Sequence, residues 1–265
     1  MKRFIQFLLG LNLASIIRGL RFGFGQFVEA CYKSLSSVYP LQDRKQVKDM
    51  EDLKSIPEVS LDEILGDRKV QIKLTMQKHE DGLMWTQDAE ALLSILLLEK
   101  PKEVLEIGTF MGHTARTMAE NLPGCIVHTV DLPLDFSSSQ ETPASMPPKD
   151  DFHLINRRVV GREFKGTEWE KQIVQHFGDT AGMDFQKIGQ PTFFFIDGSH
   201  TYEYCKLDSE KCFAVCGGKG VFLWHDCDEW HPEVVRFVNE WRSAGRNIVR
   251  IKGTYLAYWK AQGSS

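Results

Sequence analysis

Asp197-Gly198-Ser199-His200 follows the wholly apolar run Phe193-Phe194-Phe195-Ile196, and Trp224-His225-Asp226 ends a second apolar run that begins at Val221. Titratable side chains placed directly after strands of this kind gather at one edge of a parallel sheet, where open α/β folds hold their ligands. Asp197, His200, His225 and Asp226, from two adjacent strands, form a set that can bind a metal. Carboxylate oxygens suit Mg²⁺, and one or two imidazoles shift the preference toward Mn²⁺, Fe²⁺ or Zn²⁺. A solvated polar rim with no metal is the alternative.

A second group of residues points to a nucleoside-like ligand. Glu106-Ile107-Gly108-Thr109-Phe110-Met111-Gly112 lies between an apolar strand and a helix, and a glycine there permits close backbone approach to a ligand. The dinucleotide fingerprint needs a glycine where Glu106 stands, and a carboxylate would repel a pyrophosphate, so a nicotinamide cofactor is disfavoured. E-x-G-x-x-x-G suits instead a ligand with cationic ends and no phosphate, such as S-adenosylmethionine. Asp131 ends the next strand, nineteen residues after Gly112, where a carboxylate accepts from both ribose hydroxyls. Asp179, in Gly178-Asp179-Thr180, is placed to accept from the adenine amino group. Either acid alone also fits a turn or a helix cap.

The elements that must carry these residues are short apolar strands alternating with amphipathic helices from Trp85 onward, the pattern of βαβ units in a parallel sheet. Strands are expected at 103–107, 125–131, 173–176, 192–196 and 221–224, with helices at 86–98 and 114–121. Segments 247–252 and 255–260, around Gly253-Thr254, are expected to close the sheet as a hairpin. The count is seven. The proline-rich stretch 133–151 reads as a loop insertion beside the crevice, where a lid is expected. Cys205, Cys212 and Cys216 share a helix at spacings of buried small residues, and no C-x-x-C pair occurs among the six cysteines, which fits a reduced cytosol.

From about Trp85 to Lys260 the chain resembles the class I S-adenosylmethionine-dependent methyltransferases, in the branch called methyltransferase family 24. The resemblance runs through Val104-Leu105-Glu106-Ile107-Gly108-Thr109, Val130-Asp131-Leu132-Pro133, Phe177-Gly178-Asp179, Ile196-Asp197-Gly198-Ser199-His200-Thr201-Tyr202, Gly217-Gly218, Leu223-Trp224-His225-Asp226 and Gly253-Thr254. It implies a Rossmann-like, mostly parallel α/β sheet with a C-terminal hairpin. Glu106, Gly108, Thr109, Gly112, Asp131 and Asp179 then become the cofactor-binding residues. By similarity to metal-dependent sugar and catechol O-methyltransferases, Asp197, His225 and Asp226 become ligands of a divalent metal (Mg²⁺ or Mn²⁺), and His200 becomes the general base. His225 departs from the acidic pattern of those enzymes, and Cys227 or Asp228 is a further candidate ligand. The implied reaction is methyl transfer to a hydroxyl of a sugar or other small molecule. The alternatives are a cofactor-binding module without catalysis and a metal-dependent oxidase or hydroxylase. Trp85, Trp224, Trp230 and Trp241 either stack on such an acceptor or belong to core and rim.

The resemblance does not extend to the first eighty residues, and residues 1–84 are expected to form a helical extension or cap ahead of a domain spanning 85–265. A helix start is expected at Ser60-Leu61-Asp62-Glu63. The first forty residues carry five basic side chains against Glu29, a net of +4 that leaves −8 for the rest of a chain totalling −4. That overall balance excludes the basic footprint of a nucleic-acid binder. The apolar run from Phe4 to Ile17 is too short to cross a bilayer, which takes about twenty residues. Its helical spacing suits a cap on the core or on a second subunit of a homo-oligomer, in a cytoplasmic protein, or a peripheral helix on the inner face of an anionic membrane. Deleting residues 1–39 separates these. Aggregation or a changed oligomeric state is the expected outcome and marks a cap; a soluble, active truncation that no longer sediments with anionic vesicles marks a membrane anchor.

Overall fold

Alternating apolar residues build the sheet and divide its two faces. The computed structural model describes residues 51–74, 83–133 and 159–262. Its strands are β1 (Glu58–Val59), β2 (Glu103–Ile107), β3 (Ile126–Asp131), β4 (Ile173–Phe177), β5 (Phe193–Ile196), β6 (Lys219–Trp224), β7 (Val249–Ile251) and β8 (Ala257–Gln262). They lie in the order β1-β7-β8-β6-β5-β2-β3-β4, with β8 antiparallel to both neighbours and every other pair parallel. The sheet has one strand more than the seven expected. β1 is two residues long, too short for a periodic signal, and it forms only by pairing with β7.

The helices are α1 (Leu61–Leu65), α2 (Thr86–Glu99), α3 (His113–Asn121), α4 (Tyr202–Val215) and α5 (Pro232–Ser243). Strand period two sends Leu105, Ile107, Phe194, Ile196, Phe222 and Trp224 to one face, against Cys205 and Cys212 of α4 and Val234, Phe237 and Trp241 of α5. Val104, Val127, Phe193, Phe195, Val221 and Leu223 face the other way, onto Leu92 and Leu96 of α2 and Ala115 and Met118 of α3. The product is a three-layer α/β/α arrangement. Cys205 and Cys212 are buried free thiols, as expected of small core residues.

α1 starts where its sequence signals: Glu63 N–H donates to Ser60 Oγ at 3.2 Å while the Glu63 carboxylate accepts from Ser60 N–H at 2.7 Å. Residues 51–74, read from sequence as part of the helical extension, belong to the same compact unit as the sheet, Glu51–Ser265, and Leu53 and Ile56 enter the core. The basic segment 1–40 and, past Pro133, the insertion 133–151 lie outside the described residues. Among the described residues no helix is long and apolar enough to cross a membrane.

Chain order reverses at β2, since β3 and β4 lie on one side of it and β5 and β6 on the other. The carboxyl ends of β2 and β5 thus form the topological switch point. There the backbones nearly touch: a Cβ on Gly108, whose φ is +102°, would stand 2.0 Å from the Asp197 carbonyl oxygen. Gly124 also has positive φ, +89°, but open space around it. Gly124→Ala is therefore expected to cost only the left-handed penalty of about 1–2 kcal/mol. Gly108→Ala must in addition separate two strands and should cost clearly more, as read from urea unfolding midpoints of both variants at matched m-values.

Candidate active site

Four neighbouring strands end level, and the residue at or directly after each end is a candidate functional group. Ile107 pairs with Val130 on one side and Ile196 on the other, and Ile196 pairs with Trp224. Backbone hydrogen bonds continue past these ends: Gly108 N donates to Val130 O, Asp197 N to Ile107 O, and His225 N to Ile196 O, at 2.9–3.1 Å. Gly108, Asp131, Asp197 and His225 consequently line one cavity of about 550 Å³, joined by Asp179, His200 and Asp226.

Asp131 is held rigidly. Its Oδ2 accepts from Phe110 N–H at 2.8 Å and its Oδ1 from Leu132 N–H at 2.7 Å. Asp179 Oδ1 accepts from the Tyr204 hydroxyl at 2.8 Å and from Ala181 N–H at 2.9 Å. Burial and this carboxylate keep the Tyr204 phenol protonated, its pKa pushed far above the usual range.

Glu106, Thr109 and Gly112 do not reach the cavity wall. Glu106 is wholly buried inside the strand ends, where its Oε2 accepts from the Thr129 hydroxyl. Burial drives its pKa well above the ordinary carboxyl value, the Thr129 hydrogen bond opposing. Thr109 shares a 2.6 Å hydrogen bond with Thr129 and accepts from Gln175 Nε2 at 3.0 Å. Gly112 caps α3 with φ +88°, and a Cβ there would strike the Phe164 ring. These three residues shape the strand-to-helix turn behind the cavity.

The histidine and aspartate side chains form one charge network. His200 Nε2 stands 2.8 Å from Asp226 Oδ2. His225 Nδ1 lies 3.0 Å from Asp197 Oδ1 and 3.1 Å from Asp226 Oδ2. Burial opposes a charge on His225, but the carboxylates of Asp197 and Asp226 outweigh it and hold its pKa well above 6.5. Burial likewise pushes Asp226 up, yet the His200 and His225 rings beside it bring it well below the carboxylate range. Asp226 adopts φ +56°, a conformation that costs a non-glycine residue of order 1–3 kcal/mol and that tends to mark functional positions.

Asp197, His225 and Asp226 each offer one ligand atom within 4.8 Å of the other two, and His225 Nδ1 is buried without a well-aligned hydrogen-bond partner. One nitrogen and two carboxylate oxygens converging in this way fit a divalent cation. A second group, His200, Asp226 and His231, meets the same distance and shares Asp226. Cys227 is buried in the apolar core, where burial pushes its thiol up to about 12, and Asp228 turns its Oδ1 toward the Trp230 and His231 N–H groups. Neither belongs to the ligand groups found among the described residues. Of the tryptophans, Trp224 and Trp241 are core, whereas Trp85 and Trp230 line the cavity with 50% and 75% of their surface exposed.

Sequence reasoning passed over Asp88, Asp208 and His231. Asp208 stands at i+3 from Cys205 and i−4 from Cys212, so an acid on the helix's buried face was the available signal. Asp88 precedes buried Ala91 and Leu92 by three and four residues in the same way.

Residues 105–227 match the protein family described as "Methyltransferase domain". Among solved structures, the chain is similar to a putative O-methyltransferase from Klebsiella pneumoniae at 12% identity, covering 86% of this chain and 95% of that one, with a TM-score of 0.44. A SAH-bound methyltransferase of Podospora anserina matches at 15% identity, 68% and 81% coverage and a TM-score of 0.46. An O-methyltransferase from Bacillus cereus in complex with SAH matches at 14%, 86% and 96%, with a TM-score of 0.41.

Asp208 yields a pH prediction. Burial raises its pKa to about 7, with Thr180 and Lys211 opposing and Asp179 adding to the rise. The folded chain therefore holds a proton that the unfolded chain, with a pKa near 3.9, has released, and stability falls as pH rises from about 4 to 7. Asp208→Asn should leave stability unchanged at pH 4 and raise it by a few kcal/mol at pH 8. Melting temperatures of the two proteins that stay parallel across this range would refute the assignment.

Proposed function

We propose that this chain, whose residues 105–227 match the family described as "Methyltransferase domain", is a class I S-adenosylmethionine-dependent methyltransferase that methylates a hydroxyl of a neutral small-molecule acceptor such as a sugar, with His200 as the general base. The observation that carries the reading is the His200 Nε2 to Asp226 Oδ2 contact of 2.8 Å on the wall of the same cavity that presents Gly108 and Asp131.

S-adenosylmethionine supplies an electrophilic methyl group on a sulfonium. Asp131 receives the ribose hydroxyls, Asp179 the adenine amino group, and Gly108 lets the backbone stand close to the ligand. With Nε2–H donated to Asp226, His200 takes the acceptor's proton at Nδ1, and the carboxylate stabilises the imidazolium that forms. Asp197, His225 and Asp226 would hold a divalent metal, which supplies Lewis acidity that lowers a hydroxyl pKa. Aligning the acceptor oxygen contributes much of the rate, since well-oriented groups reach effective molarities of order 10⁵ M or more.

Charge on the wall supports a neutral acceptor. The described residues lining the cavity include six aspartates and three histidines and no lysine or arginine, a surface that repels phosphate and carboxylate groups. Trp85, Trp230 and Tyr255 offer faces against which the C–H side of a sugar can stack.

Labelled methyl transfer to neutral and phosphorylated sugars, with and without chelator, tests the reading. Neutral sugars should be the better acceptors, and chelation should remove most of the activity. His200→Ala should lower turnover by roughly 10²–10⁴ with cofactor affinity unchanged. Asp131→Ala should do the reverse, weakening calorimetric cofactor binding by about 1–3 kcal/mol. Full turnover in His200→Ala would remove the base.

A further inference from the structure

Asp88 sits in the first turn of α2 with 1% of its surface exposed, and it is absent from the cavity wall. An acid at this helical position ordinarily turns back toward the helix N-terminus. Here it turns inward: Oδ1 accepts from Tyr255 N–H at 2.8 Å, in the connection between β7 and β8. Its other oxygen, Oδ2, is buried and makes no hydrogen bond of good geometry. At 3.5 Å from it stands His225 Nε2, equally buried and equally without such a bond.

We propose that Asp88 is a positioning residue for His225, fixing the imidazole with its Nε2–H toward α2 and its Nδ1 aimed between Asp197 and Asp226. A bare Nε2 lone pair opposite a carboxylate oxygen would set two acceptors against each other in a site closed to water, which costs more than a buried hydrogen bond contributes. Nε2 therefore carries hydrogen, whether Nδ1 holds a proton or a metal. With the ring locked this way, Nδ1 lies 3.0 Å from Asp197 Oδ1 and 3.1 Å from Asp226 Oδ2, aligned with neither. That is where a third ligand atom belongs. A carboxylate behind a metal-bound imidazole fixes its tautomer and raises its basicity, and removing one typically weakens metal binding 10- to 100-fold. The effect on cation affinity rests on the metal reading above; the orientation of His225 does not.

The test uses the full chain, free Mn²⁺ measured by electron paramagnetic resonance, and the imidazole N–H resonances of ¹⁵N-histidine-labelled protein. The Nε2–H signal of His225, assigned by its absence in His225→Gln, should be slowly exchanging in the parent protein. It should vanish or exchange fast in Asp88→Ala. It should persist but move in Asp88→Asn, whose amide oxygen still accepts without the charge. Mn²⁺ affinity should drop 10- to 100-fold in Asp88→Ala and less in Asp88→Asn, with S-adenosylmethionine affinity unchanged in both. A signal with the same position and exchange rate in the variants overturns the assignment. A parent protein that takes up no Mn²⁺ overturns the metal reading instead, and the resonance then decides Asp88. Should Asp88→Ala fail to fold, an unmoved signal in Asp88→Asn still refutes the proposal.

Discussion

Everything at the site depends on how closely β2 and β5 approach where chain order reverses. Gly108 has no Cβ, so the Asp197 carbonyl can occupy the space a side chain would take, and the Asp197 N–H reaches the Ile107 carbonyl at 2.9 Å. That contact sets the height of β5 against β2, and the ladders to β3 and β6 transmit it sideways. Asp131, Asp197 and His225 come level because parallel registers leave no freedom once one pair is fixed.

Levelling these ends creates an electrostatic problem that the side chains then solve together. Several carboxylates share one cavity edge, and each raises the others' cost of ionisation. His225 answers most of it by standing among Asp88, Asp197 and Asp226, whose carboxylates favour its charged form. His200 completes the balance at Asp226. Asp208, farther along the wall, has no cation in direct contact that fully offsets its burial, and its carboxyl stays protonated toward neutral pH. One acidic cavity thus contains a carboxylate driven strongly acidic and another kept nearly neutral, by neighbours alone.

Much of this was legible before any coordinates. β2, β3, β5 and β6 announce themselves as apolar runs closed by polar residues, and α2 and α3 fall within a residue of expectation because Lys100-Pro101 and Gly112 punctuate them. β1 was not legible, since two residues contain no period and the strand exists only through its pairing with β7. Glu106 shows the limit for the site. Its position in a glycine motif suggested a ligand contact, but its side chain lies one residue pair inside the strand ends, wholly buried against Thr129.

The sequence by itself determined which residues stand at strand ends, because apolar length and the polar residue that stops it are local properties. It determined too that acids and histidines, rather than lysines and arginines, occupy the ligand edge. Only the tertiary structure decided which of them meet. Asp88 lies 137 residues before His225 in the chain, and nothing local marks them as a pair. They face each other because α2 packs across the sheet and leaves two buried polar atoms with no other partner.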